Sequence, residues 1–300
     1  MGCRARSASG CVANDGGAAP LAPYRPRVPP VFVFADVHDH YDRLFDLLVA
    51  AGLVDPVTHA RLRGDVRVVS LGDLGHFGER GSAGSRLCYQ AVRAGWVDLV
   101  LWGNHDRAVI DGAHEFSGYQ RPDGDVVMLV RALHAQGRMP LAHAAHGHLL
   151  THAGLHRRFA HQAEMERVDK ADPEQVAAYI NDLAAREMPG ENAALWDAIG
   201  ETRGGPEGAA GGILWRHWAE PLHDAFPQIC GHTSANDVRA RRLGVDEDTP
   251  NALDALAGDE PLHACLDVGT PRNGRLAGMW LPSRELVEVR RPDWGVTALG

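Results

Sequence analysis

Five short apolar runs in this chain each end on residues able to hold a hard metal ion. The first runs into Asp36-Val37-His38, the second into Gly72-Asp73 and the third into Gly103-Asn104-His105-Asp106. The fourth ends on Thr151-His152-Ala153-Gly154 and the fifth on Gly231-His232-Thr233. Taken singly, an Asp, Asn or His after a strand is ordinarily a helix cap or a turn residue. Independent caps would rarely deliver only carboxylate, imidazole and amide oxygen at five successive strand ends. Such donors, without thiolate, suit Mn, Fe, Zn or similar divalent ions, and they outnumber what one ion needs.

The elements that must position these residues follow from periodicity. Short apolar runs bounded by Gly, Asp or His predict buried strands over 31–36, 66–73, 97–102, 148–152, 228–232 and 263–268. Leu44, Leu47, Leu48 and Ala51 recur at helical spacing and predict a helix over 41–51, with others over 82–94, 126–135 and 173–187. The runs 275–281 and 285–289 predict a closing hairpin or two further strands, and the Gly/Ala-dense stretch 204–212 reads as a loop. Strands alternating with helices indicate an α/β fold, in which function gathers at the carboxyl ends of the strands. Asp39, ahead of the helix that starts near Tyr41, reads as its cap more readily than as an outer partner of His38.

Composition narrows the function from the other side. The 300 residues are 45% apolar, enough for a sizeable core, and the formal net charge of -9 argues against a duplex-DNA binder. No apolar run has the length of a membrane span or a secretory signal, so no membrane partner and a cytoplasmic location are expected. Five scattered cysteines without a CxxC pair suggest neither a disulfide framework nor a thiolate zinc site. The chain has a single lysine, Lys170, with no glycine-rich approach before it, which excludes a P-loop. Met1-Gly2-Cys3 is a poor myristoylation signal, because Arg6 stands where Ser or Thr is wanted. Residues 1–29 read as a flexible tail, 30–292 as one domain with an expected lid insert at about 112–145, and 293–300 as a C-terminal tail.

With these motifs in this order, the sequence resembles the calcineurin-like metallophosphoesterase family, especially its phosphoprotein-phosphatase and diadenosine-tetraphosphatase branch. Leu214-Trp215-Arg216 and Leu266-Asp267-Val268-Gly269 extend the resemblance over roughly residues 31–290. It implies a four-layer α/β/β/α sandwich of two mixed sheets with a two-metal site above the strand ends. Asp36 and His38 would hold one metal, Asn104, His152 and His232 the other, and Asp73 would bridge them. Ser234 stands where many phosphodiesterases of the family have a further His, which favours the phosphoprotein-phosphatase branch. That branch usually carries Gly-Asp-x-x-Asp-Arg-Gly, whose second Asp orients the catalytic His and whose Arg grips phosphate. Here the chain reads Gly72-Asp73-Leu74-Gly75-His76-Phe77-Gly78-Glu79-Arg80-Gly81. Either His76 replaces the orienting Asp, or a three-residue insertion moves Glu79 and Arg80 into those roles; the insertion keeps both acid and guanidinium and is preferred.

The reaction expected is two-metal hydrolysis of a phosphate ester, phosphoserine, phosphothreonine or a small phosphomonoester, with manganese the favoured metal. A metal-bridging hydroxide would attack phosphorus in line, since metal-bound water reaches a pKa of about 7. Asp36 and Asp73 bring two negative charges against four from two dications, leaving a positive centre suited to phosphate. His105, not needed as a ligand beside Asn104, is the candidate general acid. Arg80 and Arg216 are candidate phosphate clamps, with Arg107 a weaker third, because a planar fork matches phosphate oxygens. Partners are thus a phosphorylated small molecule, a phosphoprotein or a nucleotide. Two rivals stand: a dinucleoside polyphosphate hydrolase, with Trp102, Trp215 and Trp218 available to stack on adenine, and an inactive binding protein on the same fold.

Overall fold

The computed structural model describes residues 28–75, 81–111, 123–157, 168–186, 212–217, 220, 222–233, 263–270 and 274–290. Most of the two expected tails and of the 204–212 loop lies outside them, as do His76, Glu79, Arg80, Trp218 and Ser234. In chain order the elements are β1 (Val31–Phe34), α1 (Tyr41–Ala50), β2 (Arg67–Ser70), α2 (Gly81–Arg93), β3 (Leu99–Val100), α3 (Asn104–Asp111) and α4 (Gly124–Ala135). They continue with β4 (Ala142–Ala145), β5 (His148–Thr151), α5 (Pro173–Arg186), α6 (Gly212–Trp215), β6 (Gln228–Cys230), β7 (His263–Cys265), β8 (Arg275–Leu281) and β9 (Leu286–Arg290).

Two mixed sheets result, ordered β3-β2-β1-β8-β9 and β4-β5-β6-β7. The strands that end on site residues run parallel, β1 with β2, β2 with β3, and β5 with β6. Antiparallel partners flank them, β8 beside β1 and β4 beside β5. The period-2 alternation of each strand builds the layers. Val31 and Val33 of β1 join Val69, Leu150, Ile229 and Ala264 in a core between the sheets. Phe32 and Phe34 point the other way, into a core with Leu44, Leu47 and Leu48 of α1, Val92 of α2 and Val130 of α4. On the far side, Leu149 of β5 meets Val176, Ile180 and Leu183 of α5. The order helix, sheet, sheet, helix is the four-layer sandwich expected, and each fully buried aliphatic or Phe side chain contributes about 1.5–3 kcal/mol to holding it.

Two expectations, the strand ends and the Asp39 cap, need correction. The strands stop short of their polar ends, because the residues that leave them adopt left-handed or turn conformations: φ is 48° at His38, 52° at Asp73 and 69° at His232. The stretch expected as a lid insert carries α4 and β4 over its described part. Val126, Val130 and Leu133 of α4 are buried in the outer core, and β4 pairs with β5, while 112–122 lie outside the described residues. Asp39 does not serve as the cap expected of it. The N-cap position of α1 is His40, with no side-chain cap bond, and Asp39 is buried with its Oδ1 accepting the Ser85 hydroxyl of α2. Among the described residues no helix is long and apolar enough to cross a membrane.

Candidate metal centre

Parallel strands carry Asp36, His38, Asp73, Asn104, His105, His152 and His232 to one edge of the two sheets, and all but the last are at least nine-tenths buried. Their ligand atoms form two groups that share one carboxylate. His38, Asp73 and His105 make the first, Asp73, His152 and His232 the second, with the atoms of each group within 4.8 Å of one another. Asp73 Oδ2 stands 3.5 Å from His152 Nε2 and 3.7 Å from His105 Nε2. Asp36 Oδ2 lies 3.6 Å from His38 Nε2, and Asp36 Oδ1 accepts the His232 backbone N–H at 3.1 Å.

The hydrogen bonds assign the tautomer of one ring. His152 Nδ1 lies 2.9 Å from the Leu71 carbonyl, an acceptor, so Nδ1 carries the proton and Nε2 is left with its lone pair. That lone pair faces Asn104 Oδ1 at 2.9 Å and His232 Nδ1 at 3.2 Å, and Asn104 Oδ1 lies 3.0 Å from the same His232 nitrogen. An imidazole lone pair and an amide oxygen converging beside a second imidazole nitrogen form a donor set that suits a divalent cation. Asp36 Oδ2 is buried and accepts no hydrogen bond among the described residues, a second group that a cation would satisfy.

Electrostatics agree with the geometry. Burial pushes the Asp36 carboxyl up to about 7, against the His232 N–H that draws it down. Burial, then the Asp36 and Asp106 carboxyls, raise Asp73 well above the ordinary carboxylate range. Burial lowers His152 to about 4, and burial with the neighbouring imidazoles of His105, His152 and His40 holds His38 well below its usual value. Burial is the largest cause of all four shifts, so carboxyls and imidazoles alike favour their uncharged forms, and dications would reverse the carboxyl shifts.

Close backbone approach explains two glycines. A Cβ at Gly103 would overlap Asp73 Oδ1, and one at Gly231 would overlap Asp36 Oδ1. The Asp73 carboxylate is then fixed by the His105 backbone N–H, 3.0 Å from Oδ1.

The expected second tier divides. His105 stands within ligand reach of Asp73, and its ring meets that of His38 edge to face at 5.1 Å. Arg216 is buried, with Nε 2.7 Å from the Ala153 carbonyl and Nη1 3.0 and 2.7 Å from those of His217 and Glu220. Its guanidinium therefore ties the loop after β5 to the segment after α6, and Nη2, 4.0 Å from Cys230 Sγ, is the part not engaged with a carbonyl. Trp102 packs into the cores on either side and against His134, with ring centroids 5.0 Å apart, whereas Trp215 sets its edge on His232 at 5.5 Å. Glu79, Arg80 and His76 lie outside the described residues.

One contributor was given no task by the sequence. Asp106 is completely buried, and its Oδ2 accepts the N–H groups of Asp73 at 2.6 Å and Gly103 at 3.0 Å. Its place in the Asn-His-Asp run was the available signal, but part of the backbone it holds, at Asp73, follows another strand.

No family model matches the sequence. No curated protein sequence matches it. Among solved structures the chain is similar to a cold-active protein tyrosine phosphatase, at 17% identity over 88% of this chain and 76% of that one, with a TM-score of 0.55. The cold-active protein-tyrosine phosphatase of a psychrophilic Shewanella species gives 17% identity, 88% and 78% coverage and a TM-score of 0.54. A protein provisionally described as a diadenosine tetraphosphatase is 20% identical over 89% of this chain and 96% of its own, with a TM-score of 0.44. At these identities the likeness to the two tyrosine phosphatases is one of fold alone.

Proposed function

We propose that this chain hydrolyses phosphate monoesters, on phosphoserine or phosphothreonine or on small molecules, at a two-metal centre. The observation that carries the reading is the sharing of Asp73 by two separate groups of ligand atoms. Asp36 and His38 would hold one ion, Asn104, His152 and His232 the other, and Asp73 both. Two divalent ions, manganese in our reading, supply Lewis-acid charge and activate water at neutral pH.

The remaining steps belong to the chain. His105 acts as general acid and protonates the leaving oxygen; its buried place beside Asp73 supports this, and general acids contribute roughly a hundred- to ten-thousand-fold. Glu79 orients His105, and Arg80 grips a phosphate oxygen. Arg216 steadies the loop that presents His152 and offers Nη2 to phosphate. In this reading the reaction belongs to the cytoplasm.

A dinucleoside polyphosphate is the second reading, favoured by one contact, the Trp215 ring beside His232, where an adenine could stack. Turnover of a phosphoserine peptide, an aryl phosphate and diadenosine tetraphosphate, compared at saturating manganese, tests the choice. The monoesters should be hydrolysed and the anhydride should not. Preferential cleavage of diadenosine tetraphosphate would move the assignment to the second reading, and silence on all three would leave only a binding role.

A further inference from the structure

One face of α2 reaches every turn of the first metal group. Ser85 and Tyr89 stand at i and i+4 on that helix, and both are buried. The Ser85 hydroxyl donates to Asp39 Oδ1, and Asp39 follows His38. The Tyr89 hydroxyl donates to Asp106 Oδ1, and Asp106 follows His105. Through its other oxygen Asp106 holds the N–H groups of Asp73 and Gly103, so Tyr89 is connected to the shared carboxylate and to the turn that carries Asn104. Gly75, two residues after Asp73, packs on the same face, where an added Cβ would stand 2.6 Å from Ser85 Oγ and 3.1 Å from Tyr89 Cε2.

The turns so reached are ones that need holding. His38 and Asp39 are consecutive non-glycine residues in the left-handed region, with φ of 48° and 69°, a conformation that persists only where the surroundings over-determine it. Backbone bonds supply part of that hold, His38 N–H to the Asp73 carbonyl at 2.9 Å and Asp39 N–H to that of Leu74 at 3.0 Å. The Asp39 side chain needs an anchor of its own, and α2 provides one. Each hydroxyl also occupies an oxygen of a carboxylate beside the centre, keeping that oxygen from competing for the ion.

We propose that Ser85 and Tyr89 are positioning residues of the metal centre, acting on His38 through Asp39 and on Asp73 and Asn104 through Asp106. The inference rests on the metal-centre reading above and gives α2 a role beyond packing. Loss of an outer partner of this kind typically weakens metal affinity or activity 10- to 100-fold.

Calorimetric titration of the full-length metal-free protein with manganese tests it, alongside thermal unfolding in the absence of metal. Ser85→Ala and Tyr89→Phe each remove one hydroxyl and should weaken manganese binding by roughly 10-fold or more. Val92→Ala, a buried core change on the same helix, should lower the unfolding temperature while leaving manganese affinity as in the wild type. If the two hydroxyl variants only lose thermal stability and bind manganese as the wild type does, the inference is overturned and the metal reading stands. If the wild type itself binds no manganese, both fall. Should Tyr89→Phe fail to fold, Ser85→Ala decides the matter alone.

Discussion

His152 Nε2 lies 2.9 Å from Asn104 Oδ1, and with His152 Nδ1 committed to the Leu71 carbonyl there is no proton between them. Two acceptors in contact inside a buried site need a shared donor or a cation between them, and a cation serves both at once.

Metal loading should therefore both stabilise the protein and approach two ions per chain. Elemental analysis after manganese reconstitution should show two ions, and Asp73→Asn should disturb both sites. Free metal at 100 times the dissociation constant adds about 2.7 kcal/mol per site, so chelation should lower the unfolding temperature. A single ion, unaffected by Asp73→Asn, would falsify the bridging role.

His105→Ala separates the acid from a ligand. Near-normal metal content with kcat reduced about 100-fold or more, and a larger loss for alkyl than for aryl esters, is the result expected of a general acid. Loss of one ion would instead make His105 a ligand. Glu79→Gln should lower turnover at intact metal content while His76→Ala is mild; the reverse order would hand the orienting role to His76.

Acid stability should depend on His143 of β4. Burial, with a smaller contribution from Arg67, lowers its folded value to about 4, against about 6.5 in the unfolded chain. A depressed folded value means that the unfolded state takes up the proton first. The contribution is complete above about pH 6.5 and is lost as the pH falls toward 4, on the order of 1 kcal/mol after solvent screening. In urea titrations of metal-free protein at pH 7 and pH 5, His143→Asn should show a smaller drop than the wild type, and parallel drops would refute this.

Arg216→Ala should do two things at once. With Nε and Nη1 removed, the carbonyls of Ala153, His217 and Glu220 lose their donors, at a cost of about 3 kcal/mol in metal-free unfolding. Inhibition by inorganic phosphate should also weaken, and unchanged inhibition would confine Arg216 to holding the loops. Arg216→Lys should not rescue stability, because an ammonium cannot reproduce the planar fork.

How much of this was legible beforehand follows from the range of each interaction. Period-2 runs such as Val31 to Phe34 and the helical spacing of Leu44, Leu47 and Leu48 are local, and the sequence alone determined the α/β class from them, the four layers entering only with the family resemblance. It also determined the chemical types at five strand ends, because the motifs are contiguous. It could not determine that His38, Asp73 and His232 leave their strands in left-handed turns, since that conformation is imposed by close approach of other segments, as at Gly231 against Asp36. Partnerships across long stretches of chain lay equally beyond it, such as His232 with Asn104, 128 residues apart, or His152 with Leu71, 81 apart. For the same reason Arg216 turned to backbone carbonyls and Asp39 went to Ser85 rather than to a cap. A polar side chain's partner is chosen by what the packed core brings within 3 Å of it, and only the tertiary structure decides that.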